Sequence, residues 1–386
     1  MPVYISSNAN RFYCAPENGY GNVAAITSAN RIPAVKLTAK QQREVTARKD
    51  KTGSRTFGGL PSGGRRKTTF DLRTYLTTWP GSNPPAYGAL VQGALGAAPL
   101  MFAGAPLAAG SSSTSLRFAA PHGLVSGQAV TYLGELRFVS AVINPSTVQL
   151  NAPLSSILVV GASLGPTATY LPSTELPSIS IFDYWAPTTA VHRILCGAGV
   201  DQMSVKINGD FHEFQFTGVA QELIDSASFS GDVGQLTAFP TEPALSAFDY
   251  SIVPGHLGQV WLGNAPVQFN TVTDAQLVVK NNLDMRARST LPLALSPGVR
   301  AVTIDFQLFQ KDDAATQQLY QSAKQQSPIT ATLQLGQQPN QLFGAYLKSF
   351  LPEVPEYDDS STRLQWHFRS SRAEGTTDDE ISIAFG

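Results

Sequence analysis

The histidines and cysteines of this chain show no spacing that is typical of a catalytic or metal-binding site. The five histidines lack the His-x-x-x-His and His-Glu-x-x-His patterns that bring two ligands together on a helix; they are His122, His192, His212, His256 and His367. His212 precedes Glu213 in a predicted strand, where neighbouring side chains point to opposite faces. We therefore expect structural or solvated histidines, no metal centre and no enzymatic activity.

A glycine-rich segment, GLPSGGRR at residues 59–66, comes close to a phosphate-binding loop. The lysine of that motif is replaced by Arg65, and no Ser or Thr follows it. A phosphate loop works because it leads into a helix whose first backbone amides point at the phosphate, whereas a strand is predicted here. We expect no nucleotide and no other cofactor.

Two further sets of residues are candidates for chemistry. Cys14 and Cys196 are too few for a zinc site or a disulfide framework, so two buried free thiols are favoured over a single bridge. Carboxylates cluster at residues 355–359 and 377–380, where they could attract a cation. A solvated acidic edge is the favoured interpretation of both clusters.

Charge is segregated along the chain, although the formal net charge is only −1. The segment from Arg31 to Arg73 contains 12 Lys or Arg and 3 Asp or Glu, a local charge of +9. The segment from Glu353 to Glu380 contains 8 acids and 3 bases, a local charge of −5. This segregation fits either nucleic-acid binding by the basic segment or complementary contacts between copies of the chain.

The basic tract at residues 36–67 is predicted to be a long mobile loop, because it is polar and rich in Gly and Ser. Its single aromatic residue, Phe57, does not supply the stacking platform that single-stranded nucleic acids need. We interpret the tract as an assembly arm, with the candidate contact residues Lys36, Lys40, Arg43, Arg48, Lys49, Lys51, Arg55, Arg65 and Arg66. The candidate acidic partner surface comprises Glu353, Glu356, Asp358, Asp359, Asp378, Asp379 and Glu380.

Composition and periodicity predict a mainly β fold. Gly and Pro total 58 residues, which indicates many turns, and the 20 Phe, 12 Tyr and 4 Trp exclude intrinsic disorder. Apolar and polar residues alternate around 70–75, 213–216 and 302–308, as expected for strands with one buried face. The polar faces of the last two strands contain Glu213, Gln215, Thr303, Asp305 and Gln307.

Only two short stretches show helical periodicity. The first follows Pro84-Pro85, with apolar residues at Leu90, Val91 and Ala94. The second begins after Asp312 or Asp313, either of which can cap it, and ends before Ser327-Pro328.

The same order of turn, strand and helix occurs twice. Residues 62–76 align with 296–310 with five identities in fifteen positions, and the two helical segments align at a similar offset. We infer an internal duplication. The predicted organisation is a first unit at residues 1–96 and 173–260, a small all-β insertion at 97–172 on the outer surface, and a second unit at 261–386.

Neither a secretory signal nor a membrane span is expected. The N-terminus lacks the basic and apolar regions of a signal peptide. The uncharged stretch from Thr74 to Leu116 is dominated by Gly and Ala and interrupted by Pro99 and Pro106, unlike a spanning helix.

Several of these segments together resemble the major tail tube proteins of long-tailed bacteriophages. The resemblance rests on the order and pattern of the segments and covers most of the chain outside the insertion. The insertion itself looks like a small β module of other phage tail proteins. The segments that carry the resemblance are GGRRKTTFDLRTYL (63–76), PPAYGALVQGALGA (84–97), GVDQMSVKINGDFHEFQFTG (199–218), VRAVTIDFQLFQ (299–310), DDAATQQLYQSAK (312–324), FLPEVPEYDDSSTRLQWHFRSS (350–371) and DDEISIAF (378–385).

The resemblance implies tandem β-sandwich or barrel-like units, each with one short helix, in rings whose inner strands join into one barrel. Stacked rings form a tube that conducts DNA without binding it specifically. Duplicated members form trimeric, pseudo-sixfold rings, so a trimer is favoured and a hexamer is the alternative. Residues 36–67 occupy the place of a family loop that reaches the neighbouring ring.

The resemblance also implies tail-tip and terminator proteins as partners, and a location in the virion tail after assembly in the host cytoplasm. We expect the five polar strand residues to line the lumen, with exposure to outer solvent as the alternative. Two other functions are considered: another tail component, such as a tail-tip or baseplate ring or a decoration protein, and a secreted β-sandwich that binds or cleaves carbohydrate.

Overall fold

The chain, described here by a computed structural model, is mainly β, as predicted. The structure describes residues 4–43, 51, 53–55, 66–207, 210–245, 250–255, 258–287, 292–360 and 362–386. The first segment contains β1 (Asn10–Pro16), β2 (Arg31–Ile32), β3 (Ala34–Arg43), β4 (Arg66–Tyr75) and α1 (Gly88–Leu95). It is followed by β5 (Leu100–Phe102), β6 (Ser115–Arg117), β7 (Ala129–Tyr132), β8 (Glu135–Asn144), β9 (Thr147–Leu150) and β10 (Thr167–Tyr170).

The rest of the chain adds two more groups of elements. The next group is β11 (Ile179–Trp185), β12 (Arg193–Ile207), β13 (Glu213–Ala220) and β14 (Glu222–Asp225). The last group is β15 (Gly258–Leu262), β16 (Val267–Gln268), β17 (Val272–Lys280), β18 (Asp284–Ala287), β19 (Pro292–Ser296), β20 (Ala301–Phe309), α2 (Ala314–Gln325), β21 (Ile329–Leu335), β22 (Phe343–Leu351), β23 (Glu356–Asp358), β24 (Gln365–Ala373) and β25 (Ser382–Phe385).

Eight strands form one antiparallel sheet, which we call the shared sheet. Their order is β3-β4-β13-β12-β17-β20-β24-β23. Burial alternates along these strands because successive side chains point to opposite faces. In β20, for example, Val302, Ile304, Phe306 and Leu308 are buried, and the residues between them are partly exposed. The buried face belongs to one large core that also contains both helices.

The strand pairing of the first half of the chain recurs in the second half. In the first half, β1 pairs with β11, β11 with β12, and β12 with both β13 and β14. In the second half, β15 pairs with β21, β21 with β22, and β22 with both β24 and β25. The run β3-β4-β13 likewise matches β17-β20-β24. Because β12 also pairs with β17, the two repeats follow one another within the shared sheet.

Each repeat places its helix after the corresponding strand, at the positions that the periodicity predicts. In α1, Leu90, Val91 and Ala94 are fully buried. In α2, the side chain of Asp313 accepts a hydrogen bond from the Thr316 backbone N–H at 2.8 Å, which satisfies one of the free amides of the first turn. The helix ends before Gln326, which has a left-handed backbone.

The segment from β5 to β10 contains a small sheet with its own apolar core and docks on the second repeat. Four of its strands pair in the order β6-β9-β8-β7, and β10 pairs with β25 of the second repeat. Leu136 and Phe138 pack against Leu342 and Tyr346 of that repeat. The predicted limits of the insertion, 97 and 172, enclose these strands.

One predicted boundary needs correction. The limit between residues 260 and 261 falls inside β15, whose five residues all pair with β21. A strand that pairs as a unit belongs to one repeat, so the second repeat begins before Gly258.

Candidate assembly surface

One face of the shared sheet is polar and partly exposed, and all five residues predicted to line a lumen lie on it. Glu213 and Gln215 project from β13, and Thr303, Asp305 and Gln307 project from β20. The registers β13–β12, β12–β17 and β17–β20 place these two strands on the same sheet with their polar residues on one side.

Side chains on this face are linked across neighbouring strands. The Gln215 amide donates to both carboxylate oxygens of Asp71, at 3.0 and 3.1 Å. The Arg73 guanidinium lies 3.6 Å from Glu213 and 3.8 Å from Asp71. Asp71 and Arg73 were not among the sequence-based candidates. Their alternation with the buried Leu72 is the signal that places them on this face.

Further along the sheet, the same face continues with residues of both signs. Lys206 of β12 lies opposite Glu213, and Lys280 of β17 lies opposite Gln202. Asp274 lies opposite Gln307, and Arg372 opposite Thr303. From β4 to β20, cations and carboxylates are interspersed on this face and do not form one continuous positive stripe. Binding to nucleic-acid backbone grows with the number of phosphates neutralised, so this surface is suited to weak contact.

The two edges of the shared sheet carry opposite charges. At one edge, β3 pairs only with β4 among the described strands, and it exposes Lys36 and Lys40. At the other edge, β23 pairs only with β24 among the described strands, and it carries Glu356 and Asp358. The Asp358 carboxylate accepts hydrogen bonds from the Ser360 hydroxyl and backbone N–H, which lower its pKa and keep it ionised.

This arrangement corrects the prediction of a continuous mobile arm. Residues 34–43 and 66–75 are strands of the shared sheet, so Lys36, Lys40, Arg43 and Arg66 do not lie on a loop. A strand forms here because β3 pairs with β4 from Ala34 to Arg43 while Leu37 and Ala39 pack against the core. Lys51 and Arg55 are exposed and lie outside regular structure, and Arg48, Lys49 and Arg65 lie outside the described residues.

The candidate acidic surface divides into two groups. Glu353, Glu356, Asp358 and Asp359 lie on or beside the β23 edge. Asp378, Asp379 and Glu380 lie elsewhere and are neutralised within the chain, because Arg300 lies 3.2 Å from Asp378 and 2.7 Å from Glu380, and Lys348 lies 2.6 Å from Asp379. The Lys348 contact lowers the pKa of Asp379 to about 2. The seven candidate acidic residues therefore fall into two groups on different elements of the fold.

The two repeats of one chain are joined by the pairing of β12 with β17. At this joint, Val205 of β12 pairs with Leu277 of β17, flanked by the pairs Ser204–Val278 and Lys206–Gln276. Since β4 and β20 occupy equivalent places in the two repeats, their cross-strand neighbours show which residue of the edge strand β3 is equivalent to which residue of β17. Leu277 lies opposite Ile304 as Ala39 lies opposite Phe70, so Ala39 matches Leu277.

The same comparison applies to the acidic edge. Phe214 pairs with Val205, and Trp366 pairs with Tyr357. Phe214 and Trp366 themselves lie opposite Thr74 and Leu308, which are matching positions of β4 and β20. Tyr357 therefore matches Val205, and Glu356 and Asp358 match Ser204 and Lys206.

Among the described residues, no group of three or more His, Cys, Asp or Glu is placed to hold a metal ion, and Cys14 and Cys196 are free and buried. The segment GASLG at residues 161–165 matches the Gly-x-Ser-x-Gly pattern, a match that the sequence reasoning missed. Ser163 forms an isolated bridge with Pro106, and β10 rather than a helix follows, so the strand–turn–helix context of a nucleophile elbow is not present there.

A scan against protein-family models and a search of curated proteins both return no match for this chain. No helix among the described residues is long and apolar enough to cross a membrane.

Proposed function

We propose that this chain is a structural subunit of a phage tail tube. Copies join head to tail through the two open edges of the shared sheet and close into rings, and the rings stack into the hollow tube through which DNA is ejected. The observation that carries this proposal is the joint between β12 and β17, because it is a ready template for a joint between β23 of one copy and β3 of the next.

The template sets a register for the contact between copies. Tyr357 pairs with Ala39 of the next copy, Glu356 with Lys40, and Asp358 with Thr38. Glu356 and Asp358 then face a strand that exposes Lys36 and Lys40, so opposite charges meet across the new pair of strands. Cross-strand pairs of opposite charge stabilise a sheet, and like charges destabilise it.

Closure also removes the exposed edges that otherwise promote uncontrolled pairing. An edge strand of ten residues such as β3 is long enough to be a hazard in an isolated copy. Pro352 and Pro355 interrupt the opposite edge and limit pairing there to the correct partner. Once a ring is closed, the mixed-charge face lines the lumen in this proposal, and DNA passes without being held.

Two repeats in each chain favour a trimeric ring with pseudo-sixfold symmetry, and a hexameric ring remains the alternative. The proposal includes a location in the virion tail and contacts with tail-tip and terminator proteins. A component that forms a single ring at a tail tip would use the same joint, but it would not propagate along the axis.

Negative-stain electron microscopy over a concentration series tests this function. We expect long tubes with an open lumen and a regular axial repeat, and end views that give the ring symmetry. Isolated rings would instead support a tail-tip or baseplate role, and a chain that remains monomeric with tail-tip complexes added would contradict the assembly.

Two matched double variants separate ring closure from stacking. Lys36→Glu with Lys40→Glu reverses the edge of β3 and should prevent rings. Lys51→Glu with Arg55→Glu reverses the same amount of charge outside the sheet, so rings should persist while their stacking weakens at low salt. Equal effects of the two variants on ring closure would contradict the proposed edge contact.

A further inference from the structure

We propose that Arg66 of one copy clamps the C-terminal turn of α2 in the neighbouring copy of the same ring. This contact rests on the proposed head-to-tail assembly and adds to it a second site of recognition, away from the paired strands. The inference comes from a contact that Arg300 makes between the two repeats of a single chain.

Arg300 of the second repeat holds the end of helix α1 in the first repeat. Its guanidinium donates to the carbonyl oxygen of Leu95, the last residue of α1, at 3.5 Å, and also to the carbonyl oxygen of Ser173. The other side of the guanidinium pairs with Glu380 at 2.7 Å. The Arg300 side chain is only 11% exposed. Carbonyl groups at a helix C-terminus carry partial negative charge, so a buried guanidinium is favourable at this point.

Arg66 occupies the matching position in the first repeat. It stands three residues before Thr69 of β4, as Arg300 stands three residues before Thr303 of β20. It also has the matching carboxylate partner, because its guanidinium lies 3.1 Å from Glu222 of β14. β14 pairs with β12 as β25, which follows Glu380, pairs with β22.

The two arginines differ in their contacts within the chain and in their exposure to solvent. Among the described residues, Arg66 is hydrogen-bonded to Glu222 and to no helix end, and its side chain is 40% exposed where that of Arg300 is 11% exposed.

The two helices differ in the same way. Leu95, at the end of α1, is fully buried, whereas the last turn of α2 is exposed at Lys324, Gln325 and Gln326. Arg66 in the first repeat and the last turn of α2 in the second repeat are therefore both exposed. In the head-to-tail joint, one copy follows the next as the second repeat follows the first, so Arg66 of one copy reaches the end of α2 in its neighbour. Lys324 lies in the same turn, but its side chain is long and exposed, so its positive charge can extend into solvent away from the helix end.

Thiol crosslinking in assembled rings tests the clamp directly. The double variant Arg66→Cys with Gln325→Cys should give covalently linked copies with a short bis-maleimide, and either single variant should give none. Cys14 and Cys196 are buried and do not compete for the reagent. The matched control is Lys67→Cys with Gln325→Cys, because Lys67 projects from the opposite face of β4 and should not be linked.

Assembly measurements provide a second readout. Arg66→Gln should raise the concentration needed for half-maximal ring formation by roughly three- to tenfold, the size expected for a charge-assisted contact at a helix end. Lys67→Gln removes the same charge one residue away and should have a smaller effect. Thermal unfolding of the unassembled variants checks that both remain folded.

The outcomes distinguish the clamp from the assembly on which it rests. A strand-edge pair, Lys40→Cys with Glu356→Cys, should form a disulfide between copies, because the Cα atoms of cross-strand neighbours are about 4.5–5.5 Å apart. If that pair links and the Arg66 pair does not, the clamp is refuted while ring closure stands. If neither pair links and no rings form, the proposed function fails and the clamp fails with it.

Discussion

Reversal of the charge at Lys40 or Glu356 is the sharpest test of how copies of this chain recognise one another. Lys40 is exposed on β3 and makes no ion pair with any described residue. Glu356 pairs within the chain with Arg369 at 2.9 Å, and both side chains are 66% exposed. In the proposed joint, Glu356 of one copy lies directly opposite Lys40 of the next. We expect Lys40→Glu and Glu356→Lys each to impair ring formation, and the double variant to restore it.

The size of the effect follows from the geometry of the joint. An opposite-charge cross-strand pair contributes about 0.2–1 kcal/mol, and replacing it with a like-charge pair costs a similar amount again, so each joint loses about 0.4–2 kcal/mol. A trimeric ring has three such joints, and the ring is destabilised by roughly 1–6 kcal/mol. Since 1.4 kcal/mol is a factor of ten and trimer formation depends on the square of the free concentration, the midpoint of assembly should rise by roughly 3- to 100-fold.

Sedimentation velocity over a concentration series measures that midpoint. The difference between the variants should shrink from about 0.05 M to about 0.5 M salt, because exposed charges are screened at short distance in concentrated salt. Glu356→Lys also removes the pair with Arg369, which is worth at most about 1 kcal/mol, so the thermal stability of the unassembled variant serves as its control. If both single variants assemble at low salt like the unaltered chain, or if the double variant fails to assemble, the register is wrong.

A mixture of the two single variants gives independent information on ring size. In an alternating ring, every joint between a Lys40→Glu copy and a Glu356→Lys copy brings opposite charges together. Such alternation closes only with an even number of copies. Mixing should therefore restore hexameric rings and leave trimeric rings impaired, whereas the double variant should restore both.

Three further predictions concern stability. Arg137 is fully buried and donates hydrogen bonds to Glu135, Gln334 and Gln259. In urea denaturation, Arg137→Met should lower the unfolding free energy by about 3–5 kcal/mol, whereas Arg117→Met, at an exposed site of the same insertion, should change it little. Similar losses in the two variants would contradict the buried network. Asp313→Ala should cost about 1 kcal/mol through loss of the α2 cap, and Asp312→Ala should not; equal effects would contradict the cap. The pKa of Asp379 is lowered to about 2, so the stability from its pair with Lys348 is present above pH ~4 and is lost as the pH falls towards 2. The difference in unfolding free energy between the unaltered chain and Lys348→Gln should therefore shrink over that range. It should stay below about 1 kcal/mol throughout, because Lys348 is exposed and Asp379 is only partly buried.

Strands with a strong apolar face were predictable from the sequence. The alternation from Val302 to Leu308 is regular because β20 lies in the middle of the shared sheet and buries large side chains. Strand β3 was not predicted, because an edge strand buries less. Its inward positions carry Leu37 and Ala39 and then the polar Gln41, so the alternation is too weak to separate the strand from the rest of the basic tract.

The division of the acidic residues was beyond the reach of sequence reasoning. The Glu353 to Glu380 segment contains a charge of −5, but local charge says nothing about partners distant in the chain. Arg300 lies 80 positions before Glu380, and the fold brings them to 2.7 Å. Only the fold shows that Arg300 pairs with Asp378 and Glu380, whereas Glu356 and Asp358 lie on the edge strand β23.

The placement of charge also explains why copies should join head to tail and not by a two-fold contact. Two β3 edges brought together would set Lys36 and Lys40 against a second basic strand, and two β23 edges would oppose Glu356 and Asp358 to each other. Like charges placed directly opposite destabilise both symmetric pairings. The mixed pairing is the one in which opposite charges meet, and it leaves a free edge of each kind on every oligomer until the ring closes. In the proposed assembly, the segregation of charge within a chain whose net charge is only −1 therefore excludes closed dimers and favours rings.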